Sequence, residues 1–103
     1  MLAPDLKLEL YIVGDSPNSR IAVANLKRLC EHERLGRCRL QIIDVLDHPE
    51  AAEAANIVAT PTLIRRAPLP IRRIVGDLSM TETVLDTLEV QGAVAEGPEG
   101  QRQ

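Results

Sequence analysis

Few side chains in this sequence could carry nucleophilic, acid–base or metal chemistry: Cys30 and Cys38, His32 and His48, and a turn bearing Ser16 and Ser19. Taken as four zinc donors, Cys30, His32, Cys38 and His48 have spacings that match no usual zinc set, and no metal is expected. Neither histidine has a serine or cysteine placed to act as a nucleophile with its base, so a hydrolase triad has no support. Gly76 and Asp77 do not cradle a phosphate, because no glycine-rich run with a lysine leads into a helix there. No cofactor is expected. For the two thiols, two readings stay open: inert packing groups, or a regulatory pair able to form a disulfide.

The elements that position these groups follow from hydrophobic periodicity. Leu6, Leu8, Leu10 and Ile12 alternate with Lys7, Glu9, Tyr11 and Val13, the period-two pattern of a first strand. The run Gly14, Asp15, Ser16, Pro17, Asn18, Ser19 is turn chemistry, with Ser16 or Asp15 suited to cap a helix whose first turn tolerates Pro17. Ala22, Leu26, Leu29 and Cys30 then recur at helical spacing, and Gly36 is expected to end that helix. Leu40 to Leu46 is apolar enough to predict a strand buried on both faces and parallel to the first. Pro49 opens a short second helix reaching Ala55.

Thr60 and Pro61 lead into the β-branched start of a third strand, and the bond between them is a candidate cis peptide. Two roles suit it equally: shaping a peptide-binding edge beside the start of helix one, or a purely structural turn. Pro68, Leu69 and Pro70 join this strand to a fourth, Ile71 to Val75, in antiparallel pairing. Ser79, Met80, Thr81 and Glu82 fit a capping box, which starts a helix with Val84, Leu85 and Leu88 on one side and Asp86 and Glu89 facing water. Residues 1–91 form one α/β domain in the order βαβαββα, that of thioredoxin, and residues 92–103 are a disordered tail. A working thioredoxin needs two cysteines at the start of its first helix. Here Ser16, Pro17, Asn18 and Ser19 stand there, and a hydroxyl cannot exchange disulfides, so redox turnover is excluded and no enzyme is expected.

Composition narrows the partners. The chain has 103 residues, 45% of them hydrophobic, with Tyr11 the only aromatic, so there is little stacking surface for bases. Its net charge of −3 makes no case for binding a phosphate backbone, and nucleic acid is not expected. No run approaches the roughly 20 apolar residues that cross a bilayer, and Met1 to Glu9 lacks the features of a signal peptide. The protein is expected in the cytoplasm, away from membranes, with reduced thiols. Arg65, Arg66, Arg72 and Arg73 fall within nine positions, readable either as a solvated strand pair or as a partner-binding patch.

Three segments carry a closer resemblance. LYIVGDSPNS at Leu10–Ser19, IIDVLDHP at Ile42–Pro49 and VATPTLIRRAPLPIRRIVGDLS at Val58–Ser79 resemble the KaiB family of cyanobacterial circadian clock proteins, over roughly positions 6 to 90. The sensor domain of the clock histidine kinase SasA is similar in its first half. The resemblance implies a binding role: docking on the hexameric ATPase ring of KaiC, displacing SasA and holding KaiA, which controls the phosphorylation cycle. It also implies two folds, a thioredoxin-like form that binds KaiC and a fold-switched tetramer. A non-clock paralogue, serving stress or histidine-kinase signalling through the same edge, is the alternative.

On this resemblance the partner-binding residues are Asn18, Arg20 and Lys27 of helix one, Asn56, and Arg65, Arg66, Arg72 and Arg73 of the basic strands. Thr60, Pro61, Pro68, Pro70, Thr87 and Glu89 bear on structure or fold switching. Two departures stand out. Asn56 replaces the family's usual lysine, and Asp86, Thr87, Leu88 and Glu89 replace an apolar, Gly, Leu, Asp pattern. As a strand, this last segment would drive Asp86 onto the apolar face of Val84 and Leu88. As a helix it keeps the charge in water, and threonine for glycine favours helix by about a few tenths of a kcal/mol. The thioredoxin-like monomer is therefore the expected resting state, with the tetramer as the other form.

Overall fold

A four-stranded sheet with the order β2-β1-β3-β4 organises the chain, and the computed structural model describes residues 5–89. The elements run β1 (Leu6–Ile12), α1 (Pro17–Leu29), β2 (Cys38–Asp44), α2 (Pro49–Ala54), β3 (Thr62–Ala67), β4 (Arg72–Val75) and α3 (Thr81–Leu88). This is the βαβαββα order expected. The tail expected at 92–103 lies outside the described residues, as does the domain boundary at 91. β1 sits centrally, parallel to β2 with Leu10 opposite Ile42, and antiparallel to β3 with Leu10 opposite Leu63. β4 closes the other side, antiparallel to β3.

Alternation on β1 builds two cores. Leu6, Leu8 and Leu10 point to one face, where α1 supplies Ala22, Leu26 and Leu29 and α3 supplies Val84, Leu85 and Leu88, all buried. Burying each of these leucines contributes about 2 kcal/mol of transfer free energy. The opposite face holds a smaller cluster of Tyr11, Ile43, Ile64 and Ala55, lined by Val45, Ala51 and Ile57 around α2.

Four local expectations are corrected. β2 is not buried on both faces: it is an edge strand, and Leu40 and Ile42 remain 37% and 40% exposed, because only β1 flanks it. Helix α1 ends at Leu29 and not at Gly36, since Cys30 is its C-cap and Glu31 and His32 continue in turns; Gly36, at φ 67, instead reverses the chain into β2. Ser79 does not make a capping box. The residue before α3 is Met80, without a side-chain cap, and Asp77 Oδ1 accepts the Ser79 N–H at 3.0 Å to shape that turn. Asp86 is exposed, as expected, but Glu89 is half-buried and does not simply face water, because Arg34 draws it in at 2.7 Å.

Pro61 follows a cis peptide bond, as anticipated, and Pro68 and Pro70 do as well. Pro61 is buried at the edge of β3, and its carbonyl accepts the Gly76 N–H at 2.9 Å, so the turn doubles as a β3–β4 tie.

Candidate docking surface

The end of the domain where β1 runs into α1 gathers most of the features a partner could use. Ser16 caps α1 by accepting the Ser19 N–H, and Pro17 occupies the first turn, where its missing N–H costs nothing. The serine hydroxyls bond each other at 2.8 Å, and buried Ser19 Oγ accepts the Val13 N–H at 3.1 Å. At the place where a thioredoxin carries its thiols, both hydroxyls are thus spent holding the loop. Asp44 Oδ1 accepts the Gly14 N–H at 3.1 Å and the Leu46 N–H at 2.9 Å, pinning the loop after β2 to the loop after β1. A groove of about 390 Å³ runs along one side of this loop between Ile12, Val23 and Ala24, with Arg20 and Lys27 on its rim. On the other side a groove of about 250 Å³ lies between Val13, Val45, Ile57 and Thr60. Beside them Val58 is 94% exposed and Leu46 68% exposed, apolar surface that water leaves uncompensated.

The expected binding residues do not form one patch. Asn18, Arg20 and Lys27 are exposed on α1, with Arg20 only loosely paired to Asp15 at 3.8 Å. Asn56 is exposed just after α2 at φ 57, a left-handed conformation that asparagine tolerates better than most side chains. The four arginines are divided by strand alternation, Arg65 and Arg72 on the α1/α3 face and Arg66 and Arg73 on the α2 face. Arg66 pairs with Glu9 at 2.9 Å, and Arg73 donates to the Ala55 carbonyl, tying β4 to the end of α2. Arg72 stays exposed.

Arg65 corrects the expectation of a surface role. It is 4% exposed and donates to the Leu88 carbonyl at 3.0 Å and the Pro70 carbonyl at 2.9 Å, so it caps the C-terminal end of α3 from inside. Its Nε is buried without a hydrogen-bond partner among the described residues, and burial, with Arg72 nearby, pulls its pKa below the ordinary arginine value. The signal was available in the sequence, because alternation places Arg65 on the same face as Leu63.

The remaining residues expected to matter for structure fall around the same helix. Pro70 supplies the carbonyl that Arg65 bonds, Pro68 is half-buried, Thr60 lines the smaller groove, Thr87 Oγ1 donates to the Thr83 carbonyl at 2.8 Å, and Glu89 caps α3. Arg34 and Asn25 were not singled out from sequence. Arg34 donates to Glu82 at 3.2 Å, Asp86 at 2.6 Å and Glu89 at 2.7 Å, and Glu89 and Asp86 hold its pKa above the ordinary value. Buried Asn25 Nδ2 donates to the Asp77 carbonyl at 2.8 Å. Both act across about fifty positions of chain, which no local pattern reports.

Among the described residues no group of three or more His, Cys, Asp or Glu is placed to hold a metal ion, and no helix is long and apolar enough to cross a membrane. Comparison with known proteins adds the lineage. Residues 9–90 match the KaiB domain. The circadian clock protein KaiB3 of Synechocystis sp. is 46% identical over 83 residues, and the circadian clock oscillator protein KaiB of Synechococcus elongatus is 49% identical over 83; each alignment covers 81% of both chains. Among solved structures, the N-terminal domain of Synechococcus elongatus SasA superposes with a TM-score of 0.68 at 30% identity, covering 85% of this chain and 83% of that one. Mitochondrial thioredoxin 3 of Saccharomyces cerevisiae gives 0.64 at 17% identity, covering 80% and 77%, which speaks for the fold alone. The matched family is one of clock regulatory proteins and not of enzymes. With a domain match across most of its length and relatives near half identity, this chain belongs to the KaiB family.

Proposed function

We propose that this protein is a clock regulator that works in the cytoplasm by docking on a KaiC-like hexameric ATPase ring, controlling its phosphorylation cycle without chemistry of its own. The observation that carries this reading is the α1 end of the domain: two grooves, exposed Leu46 and Val58, and the cations Arg20 and Lys27, with the serines that replace thiols committed to capping. KaiA or a histidine kinase is a further partner. The thioredoxin-like monomer is proposed as the resting form, supported by a helix that pairs Asp86 and Glu89 with Arg34 where a strand would carry Asp86 inward.

Asn56, and an identity to KaiB3 nearly as high as to the oscillator KaiB, favour a second reading in which the same surface serves a paralogous pathway. Titration of the protein against a phosphomimetic KaiC ring separates the two. Saturable binding that weakens at least about tenfold in the Arg20→Glu/Lys27→Glu variant supports the clock role. Absence of binding with the folded protein supports the paralogous one.

A further inference from the structure

Where β1 and β2 begin, the sheet face turned toward α2 is uncovered. Alternation sets Lys7, Glu9 and Tyr11 of β1, and Arg39, Gln41 and Ile43 of β2, on that face. Helix α2 has only six residues, and with the segment after it covers the far end alone, where Ala51, Ala55 and Ile57 pack on Tyr11, Ile43 and Ile64. Lys7, Arg39 and Gln41 stay exposed and line a groove of about 240 Å³. Lys7 stands opposite Arg39 on strands about 4.8 Å apart, a like-charge pair that repels unless an anion lies over it. The carboxylates beside this pair are committed elsewhere. One oxygen of Glu9, the next residue of β1 on this face, accepts from both Tyr11 Oη and Arg66 Nε at 2.9 Å. Arg66 reaches it as the extra residue of a bulge, because Leu8 lies opposite Arg65 and Lys7 opposite Ala67. Asp5 pairs with Arg37 at 3.9 Å. Among the described residues neither Lys7 nor Arg39 makes an ion pair, although the chain holds 15 acidic residues against 12 Lys and Arg.

We propose that this open sheet face docks an acidic peptide segment of a partner protein, with carboxylates seated over Lys7 and Arg39 and Gln41 bonding beside them. Complementary charge names the occupant: two adjacent cations lack a counter-ion within the fold, and a carboxylate brought by a partner relieves their repulsion. Nucleic acid fits less well, because the one aromatic residue, Tyr11, is buried and leaves no ring on which a base could stack. The face is separate from the docking surface at the start of α1, since α1, with Arg20 and Lys27, packs on the opposite side of the sheet. It stands whether or not the protein binds a KaiC-like ring.

The test titrates the full chain against a fluorescein-labelled decapeptide of alternating glutamate and serine at low ionic strength. Anisotropy is expected to rise to saturation, to weaken as salt approaches roughly 0.5 M, and not to rise with the matching lysine–serine peptide. Amide shift changes in the unsubstituted protein should centre on Lys7, Arg39 and Gln41, a map that needs no variant. The variant Lys7→Gln/Arg39→Gln should bind at least about fivefold more weakly. Arg28→Glu, which lowers the net charge by the same amount at an exposed position of α1, should stay within about twofold of the unsubstituted protein. Shift changes centred on α1, equal losses in the two folded variants, or no saturable binding would each overturn the proposal. So would a single-stranded DNA decamer that binds as tightly as the peptide, because the face would then select any polyanion.

Discussion

Through β2, the chain is held by leucines on one strand and one helix; from Thr62 onward it is held by arginines and an asparagine that reach across the fold. Leu6, Leu8 and Leu10 meet Ala22, Leu26 and Leu29 within the first thirty residues, an apolar contact set that any βαβ unit of this pattern would make. The second half also buries Val84, Leu85 and Leu88. Its placement, however, depends on Arg65 bonding the end of α3 and the Pro70 carbonyl, on Asn25 bonding the Asp77 carbonyl, and on Arg34 gripping three carboxylates. Apolar burial is non-directional and tolerates small shifts, whereas these polar ties exist in one geometry only. The contrast teaches where rearrangement would be cheapest: in the half whose position a handful of hydrogen bonds decides.

The contrast can be broken or sharpened by substitution. Leu10→Ala should cost the most, about 3 kcal/mol in denaturant unfolding, and should lower both halves together because Leu10 is flanked by β2 and β3. Arg65→Ala should follow at about 2 kcal/mol by leaving the Leu88 carbonyl at the end of α3 and the Pro70 carbonyl without their donor. Hydrogen exchange on that variant should show protection lost at Thr81–Leu88 and retained on Leu6–Ile12; equal loss in both would mean the halves are not held differently. Asn25→Ala should cost about 1 kcal/mol, measured the same way, with the turn at Asp77 loosening first. Arg34→Glu should have the smallest effect, a lowered melting temperature at low ionic strength that largely disappears in roughly 1 M salt, where exposed charges are screened.

Local chemistry was legible in the sequence for several elements. The bounds of β1, the Ser16 cap with Pro17, the short α2 and the antiparallel β3–β4 pair all follow from periodicity and turn residues. β2 misled because strand order is not written in a strand: Leu40 and Ile42 look like interior residues, and only their place outside β1 exposes them. The Ser79 box failed for a local reason, since Asp77 Oδ1 takes the Ser79 N–H that a capping glutamate would accept. Of the candidate site, Asn18, Arg20 and Lys27 are exposed on α1. The basic strands do not act as one surface, since alternation sends neighbouring arginines to opposite faces and takes Arg65 into the core.

The central claim, that in the free protein the second half rests as a ββα unit pinned by these polar ties, is tested most directly by backbone chemical shifts of the unbound chain. The account predicts helical shifts across Thr81–Leu88 and extended shifts across Thr62–Ala67 and Arg72–Val75. Extended shifts across Val84–Leu88 would contradict it.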